Sequence, residues 1–318
     1  MDPIFPSPAP PPTPPPPAPG WAEGLAFFAV LLLLVLPDLV AQASSRVLGL
    51  AWSELFTILL PALVAAAGSN LRPVAYLRAG RPRPLPVALG ALLGLAGFVA
   101  ANGVMALWVM VLPPRFLEWF PDVGRIFEGP PLGRAAIVAI AALLAPACEE
   151  AAFRGYLQRT LLRAARPVAA IGATALLFAV RHLDPVRFPA LALLGALFGW
   201  LAWRGGSLWP AVAAHAVNNA AAVATALIAG AEGSAAAARP TLGEALVPLL
   251  VGGAGAAGLA AAFQAATGPT APGAEPLPLR DATDPSTRFR LGLVPRPLVV
   301  AVTIGLVALI GLLLWSAL

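Results

Sequence analysis

The strongest constraint on the fold is a series of apolar stretches, each close to the length that crosses a lipid bilayer. A helix of about 20 apolar residues spans a hydrocarbon core of about 30 Å. Only 11% of the residues are charged, against about a quarter in soluble domains. The pattern therefore predicts an all-α, polytopic transmembrane helical bundle with eight or nine spans: 21–41, 47–67, 87–112, 134–157, 167–182, 188–203, 208–229, 242–266 and 298–318.

The fifth and sixth stretches are short, so one of them is expected to be tilted, broken or re-entrant. Residues 1–20 are a proline-rich tail of low complexity, which predicts disorder because the tail has no apolar surface to bury. We divide the rest into N-terminal transmembrane helices (21–133), a core (134–230) and C-terminal transmembrane helices (231–318). The last part contains a polar, proline-rich loop, 268–297.

All 20 basic residues are arginines, and the formal net charge is +5. Most of the arginines lie between the predicted spans and form no basic patch with aromatic residues, so no nucleic-acid partner is expected. The arginine-rich loops between spans 2 and 3, 4 and 5, and 8 and 9 would all lie on one side of a nine-span protein. That arrangement predicts a cytoplasmic N-terminus. The expected location is the bacterial inner membrane, with the lipid bilayer as a partner.

Polar and ionisable side chains at membrane depth are costly and are usually functional. We find them on three predicted spans, and these include both histidines of the chain. The residues are Glu149, Glu150 and Arg154 on the fourth span, Arg181 and His182 on the fifth, and His215, Asn218 and Asn219 on the seventh.

Helical spacing separates the roles of the two glutamates. Glu150 and Arg154 are four residues apart and share a helix face, which predicts a mutually neutralising pair. Glu149 lies about 100° around the helix and has no basic partner there, as expected of a general base. Pro146 should loosen the preceding turn, since it cannot donate to the carbonyl of Ala142. We expect this kink to admit water to Glu149.

The three candidate residues are not all expected at the same depth in the membrane. Glu149 and His215 are expected about 8–10 Å from the inner face, whereas His182, counted from residue 167, is expected about 22 Å from it. Either the fifth helix begins in the cytosol, or the predicted boundaries are wrong.

The sequences EEAAFRG, LLFAVRHL and GGSLWPAVAAHAVNN resemble the three motifs of the CPBP intramembrane protease family. This family includes type II CAAX prenyl endopeptidases and bacteriocin-processing and self-immunity proteins. The resemblance covers roughly residues 135–224. Its motif positions are occupied by Glu149, Glu150, Arg154, Phe178, His182, His215 and Asn219.

The resemblance implies an intramembrane endopeptidase that acts on peptides or membrane proteins, such as prenylated CAAX-type or bacteriocin-like substrates. By analogy, Glu149 and His182 activate a water, and His215 and Asn219 stabilise the oxyanion. Glu150 and Arg154 complete the six expected site residues. No cofactor is certain, and Zn²⁺ held by Glu149, His182 and His215 is an open alternative.

Two other classes of protein remain as alternatives. Intramembrane Glu, Arg and His also form proton or ion relays in transporters. Such a protein is expected to show inverted repeats, and none is apparent. The other alternative is a catalytically silent immunity or scaffold protein, against which the complete set Glu149, His182 and His215 argues. We also considered Cys148 as a nucleophile, and expect its buried thiol to be inert.

Overall fold

The computed structural model describes residues 20–68, 72–119, 127, 129–232 and 239–268. This part of the chain is helical and contains no strand, which confirms the all-α bundle. The long helices are α1 (Trp21–Ser44), α2 (Arg46–Gly68), α3 (Pro84–Val111), α4 (Pro131–Leu162), α5 (Pro167–Arg181), α6 (Phe188–Gly205), α7 (Trp209–Glu232) and α8 (Leu242–Thr267).

Seven of these helices are long and apolar enough to cross a membrane, and α5 is a shorter apolar helix. They correspond to the first eight predicted spans. The ninth predicted span, the tail and most of the polar loop lie outside the described residues. The protein is thus an integral, multi-pass membrane protein, as its surface also indicates. Large apolar side chains such as Leu36, Val111 and Leu250 are about two-thirds exposed, while Glu150 and Arg154 are buried.

Helices α3, α7 and α8 approach closely at small residues. A Cβ at Gly103 of α3 would lie 2.5–2.6 Å from the backbone of α8 at Leu249 and Ala245. At Gly94 of α3, it would meet the backbone of Ala214 in α7. Without a hydrophobic force between helices in lipid, such close backbone packing is a main source of association. It positions α7 and therefore His215.

Helix α4 is interrupted by two π-helical segments on either side of the glutamate pair. Ile140–Leu144 precedes Pro146, and Ala151–Gln158 follows Glu150. A third π-helical segment, Ser53–Leu59 in α2, packs against Ala145–Glu150 and Ala151–Gln158. Such segments often occur at functional sites. The irregularity predicted at Pro146 is therefore present as a π-helical segment within a continuous helix.

The connections between α2 and α3, α4 and α5, and α6 and α7 lie at one end of the bundle. Leu208, in the α6–α7 connection, donates its N–H to the carbonyl of Arg78 in the α2–α3 connection. Arg159, in the last turn of α4, hydrogen-bonds the carbonyl of Tyr76. The first two of these connections belong to the arginine-rich loops expected on one side. The cytoplasmic location of this end remains a prediction.

Candidate active site

One face of α4 attaches to α6 through side chains spaced four residues apart. The Arg154 Nη1 donates to Glu150 Oε1 at 2.8 Å, and its Nη2 donates to the carbonyl of Gly195 at 2.9 Å. One turn on, Gln158 Nε2 donates to the carbonyl of Gly199 at 2.9 Å. A Cβ at Gly199 would lie 2.5 Å from Oε1 of Gln158, whereas a Cβ at Gly195 would meet Ala175 of α5. The Glu150–Arg154 pair predicted from spacing is present.

Glu150 also reaches the third motif. Its Oε1 lies 2.9 Å from Nδ1 of His215 on α7. A single carboxylate oxygen therefore contacts both the guanidinium of Arg154 and the imidazole of His215, and all three side chains are almost completely buried. Glu150 thus orients His215 as well as neutralising Arg154. This second contact was not predicted.

Aromatic rings enclose the same groups. Phe198 stacks on His215 with ring centroids 4.7 Å apart. The edge of Phe178 meets His215 at 5.8 Å and His182 at 4.7 Å. The Arg154 guanidinium lies 4.5 Å from the Phe178 ring centre. Phe178 therefore joins the two histidines in one cluster, as expected from its place in the second motif.

Glu149 differs from Glu150 in its surroundings. Its Oε2 lies 3.8 Å from His215 Nε2 and, like Oε2 of Glu150, has no hydrogen-bond partner among the described residues. Its side chain is 13% exposed, against 0% for Glu150. Glu149 is thus the more accessible side chain of the pair, although its Oε2 is itself buried. His215 stands between the two carboxylates, with Nδ1 toward Glu150 and Nε2 toward Glu149.

His182 lies immediately after α5, and its Nδ1 is 2.8 Å from the carbonyl of Phe178. Helix α4 ends at Leu162, five residues beyond the predicted end of its span. From the α4–α5 turn, Glu149 is therefore about 20 Å along α4 and His182 about 22 Å along α5. Counted from that turn, the two residues therefore lie at similar distances along their helices. The misplaced end of α4 accounts for the expected disagreement in depth between Glu149 and His182, whereas His215 lies about 9 Å along α7 from Trp209.

Asn219 lies one turn beyond His215 on α7. Its Nδ2 donates to the carbonyl of Ala141 at 2.9 Å, and its Oδ1 accepts from Asn218. Ala141 belongs to the π-helical segment before Pro146, where regular bonding is disturbed. One N–H of Asn219 thus satisfies a backbone carbonyl of α4, and the amide has a second hydrogen for the expected oxyanion contact.

Buried ionisable groups are not restricted to the three predicted helices, so that prediction was wrong. Asp38 of α1 and Glu54 of α2 are also buried, with 3% and 7% exposure. Asp38 Oδ2 accepts from Arg181 Nη2 at 2.8 Å and from Thr57 at 3.0 Å. Glu54 is in the electrostatic field of Glu149, Arg181 and Asp38. Both acids are charged residues within the predicted spans 21–41 and 47–67, far along the chain from the three motifs.

The zinc alternative requires three ligands around one point. The residue types of Glu149, His182 and His215 suit zinc. In the described part of the chain, however, no three His, Cys, Asp or Glu side chains are arranged to hold a metal ion. The expected ligand set does not fit in this arrangement, and no chemical step below uses a metal.

Comparison with known proteins supports the resemblance. Residues 131–221 match the model of the family described as "Type II CAAX prenyl endopeptidase Rce1-like". No curated protein and no solved structure matches the chain. The matched segment contains the glutamates and Arg154 of α4, both histidines, Phe178 and Asn219. Residues 131–221 are therefore similar to the Rce1-like type II CAAX prenyl endopeptidases, which supports the resemblance to the CPBP family.

Proposed function

We propose that this protein is an intramembrane endopeptidase of the glutamate type that cleaves prenylated CAAX-type peptides. The observation that carries the proposal is the unpartnered Oε2 of Glu149 beside Nε2 of His215, within a segment that matches a prenyl endopeptidase family. A carboxylate in this state can accept a proton from water. In a solvated loop, water would hydrate and screen this carboxylate. A largely buried carboxylate instead interacts mainly with the groups next to it.

The reaction can be written with the side chains of the described segment. A water oxygen attacks the scissile carbonyl carbon while Glu149 accepts its proton, and His182 helps to hold that water. The carbonyl oxygen becomes an oxyanion, which accepts hydrogen bonds from Asn219 Nδ2 and from His215 when Nε2 carries a proton. The carbon–nitrogen bond then breaks, and Glu149 returns its proton to the leaving amine.

Glu150 and Arg154 have an indirect part in this scheme. Glu150 fixes the His215 ring through Nδ1, so that Nε2 faces Glu149, and Arg154 balances the charge of Glu150. Neither side chain need contact the substrate. We therefore assign Glu149, His182, His215 and Asn219 to the reacting atoms, and Glu150 and Arg154 to positioning.

The test uses the full chain in proteoliposomes and an internally quenched farnesylated peptide that ends in a CAAX sequence. We expect Glu149→Gln to lose activity by at least about 10²-fold, because general-base catalysis contributes 10²–10⁴-fold. Cys148→Ala is the matched control, since Cys148 is buried beside Glu149 and has no role in the scheme. Full activity of folded Glu149→Gln would refute the assignment.

The same assay separates the alternatives. An unprenylated peptide and a bacteriocin-like leader peptide test the substrate class. Activity that survives removal of metal by a chelator would refute a zinc mechanism, and chelator-sensitive activity restored by Zn²⁺ would support it. A silent immunity or scaffold protein would keep its cellular phenotype after Glu149→Gln. A proton-coupled transporter would move ions across the liposome without cleaving the peptide. The bacterial inner membrane remains our prediction for the location.

A further inference from the structure

His182 is held at the end of α5, where the helix stops. The backbone of Leu183, the next residue, is in the left-handed region with φ of 51°. For a residue other than glycine this conformation is unfavourable and persists only when the surroundings impose it. The ring of His182 therefore depends on how firmly the turn after α5 is fixed.

This turn is fixed on its far side by Asp184. Its Oδ1 accepts from the backbone N–H groups of Val186 and Arg187 at 2.9 and 3.0 Å, and its Oδ2 binds the Arg187 side chain at 2.5 Å. These contacts are local, and they join residues of the turn to one another. The turn is also tied to α3, because Trp108 Nε1 donates to the carbonyl of Pro185 at 2.8 Å.

The near side is fixed by α1 and α2. Arg181, the residue before His182, pairs with Asp38 of α1, and Asp38 accepts a further hydrogen bond from Thr57 of α2. The single hydroxyl hydrogen of Thr57 is shared with the carbonyl of Ser53, 2.7 Å away, within the π-helical segment that packs beside Glu149. Both charges are largely withdrawn from solvent, with 14% and 4% side-chain exposure for Arg181 and Asp38.

A buried ion pair is a poor source of stability, because desolvation offsets most of its attraction, and such pairs can instead specify one geometry. We propose that Asp38 and Arg181 are positioning residues for His182, so that α1 and α2 complete an active site whose motifs all lie in residues 131–221. The inference rests on the proposed function, since it assigns a role in that reaction. It extends the site to two helices outside the matched segment.

The experiment measures kcat and KM for the farnesylated peptide with Asp38→Asn, Arg181→Gln and the double variant. A misplacement of about 1 Å can cost about 10²-fold in rate, and we expect a loss of that order in kcat with KM within about twofold. Because the two residues act as one unit, the double variant should lose no more than either single variant. Multiplicative losses, an effect confined to KM, or unchanged kcat would overturn the proposal.

Two further variants separate positioning from folding. Thr174→Val removes a buried hydrogen bond from the same helix, to the carbonyl of Ala170, without touching α1. It should lower thermal stability and leave kcat unchanged, and an equal loss of kcat would show that any weakening of α5 has this effect. In the double variant, neither member of the Asp38–Arg181 pair is left as an uncompensated charge. If the double variant also fails to fold, Thr57→Val provides the test, because it retains the ion pair. A several-fold loss of kcat in Thr57→Val would support the proposal, and an unchanged kcat would overturn it.

The outcome for wild-type protein distinguishes the two proposals. Activity that depends on Glu149 but not on Asp38 or Arg181 would overturn only this inference. Wild-type protein without activity on the farnesylated peptide would overturn the proposed function, and this inference with it.

Discussion

Replacing Arg154 with methionine tests the buried network on which the site is built. The side chains of Arg154 and Glu150 are both 0% exposed, so solvent does not screen their attraction. Methionine retains much of the volume and the contact with the Phe178 ring. What it removes is the charge beside Glu150 and the hydrogen bond to the carbonyl of Gly195.

Arg154→Met should lose a large part of the free energy of unfolding of the protein. Breaking a buried ion pair by removing one partner costs about 3–5 kcal/mol, because the other charge is left uncompensated. The lost bond to Gly195 would by itself cost about 1.5–3 kcal/mol, but the two contributions overlap in one side chain. We therefore expect about 4 kcal/mol, a substantial part of the about 5–15 kcal/mol that stabilises a typical domain.

The assay is equilibrium unfolding of the detergent-solubilised protein by increasing sodium dodecyl sulfate, with Arg154→Met compared with two other variants. The double variant Glu150→Gln/Arg154→Met removes both charges of the pair, and we expect it to recover about half of the lost stability. Arg163→Met removes an exposed arginine just beyond the end of α4, and should change stability by less than about 0.5 kcal/mol.

The reasoning would be refuted if Arg154→Met were as stable as Arg163→Met, since the pair would then contribute nothing. It would also be refuted if the double variant were less stable than Arg154→Met by a further 2 kcal/mol or so. That result would mean that the Glu150 carboxylate is stabilised without its arginine.

Two further predictions concern packing and pH. A side chain at Gly94 would meet the backbone of Ala214, which cannot move aside like a side chain. Gly94→Val should therefore lower the free energy of unfolding by about 1–3 kcal/mol or more. Gly253→Val, with no atom within 4 Å of its Cβ position, is the control, and equal losses in both would contradict the argument. Burial raises the pKa of Tyr76, in the α2–α3 connection, above its ordinary value of 10.0. The contribution of the neutral Tyr76 side chain to stability should therefore be complete below about pH 10 and be lost as the pH rises through its raised pKa. The measurement is the unfolding midpoint against pH, which should fall more steeply for the wild type than for Tyr76→Phe.

The sequence was sufficient to predict features that depend on residues within a single helix. Apolar length located eight helices of the described chain to within a few residues at most ends, because crossing a bilayer requires a minimum run of apolar residues. Spacing along α4 identified the Glu150–Arg154 pair, since residues four apart lie on one face. The type and order of the motif residues were sufficient for the family resemblance.

Tertiary structure decided which residues of different helices meet. Close approach at Gly94 and Gly103 and the π-helical segments of α2 and α4 set the relative positions of the helices, and no pattern within a single helix records them. As a result, Glu150 was found to hold His215 as well as Arg154. Asp38 of α1 was found to reach Arg181 beside the second histidine. The sequence by itself determined the helices and the reactive groups that they carry, whereas packing determined which of those groups share a site, because hydrogen bonds and ion pairs between helices depend on distances that only the assembled bundle sets.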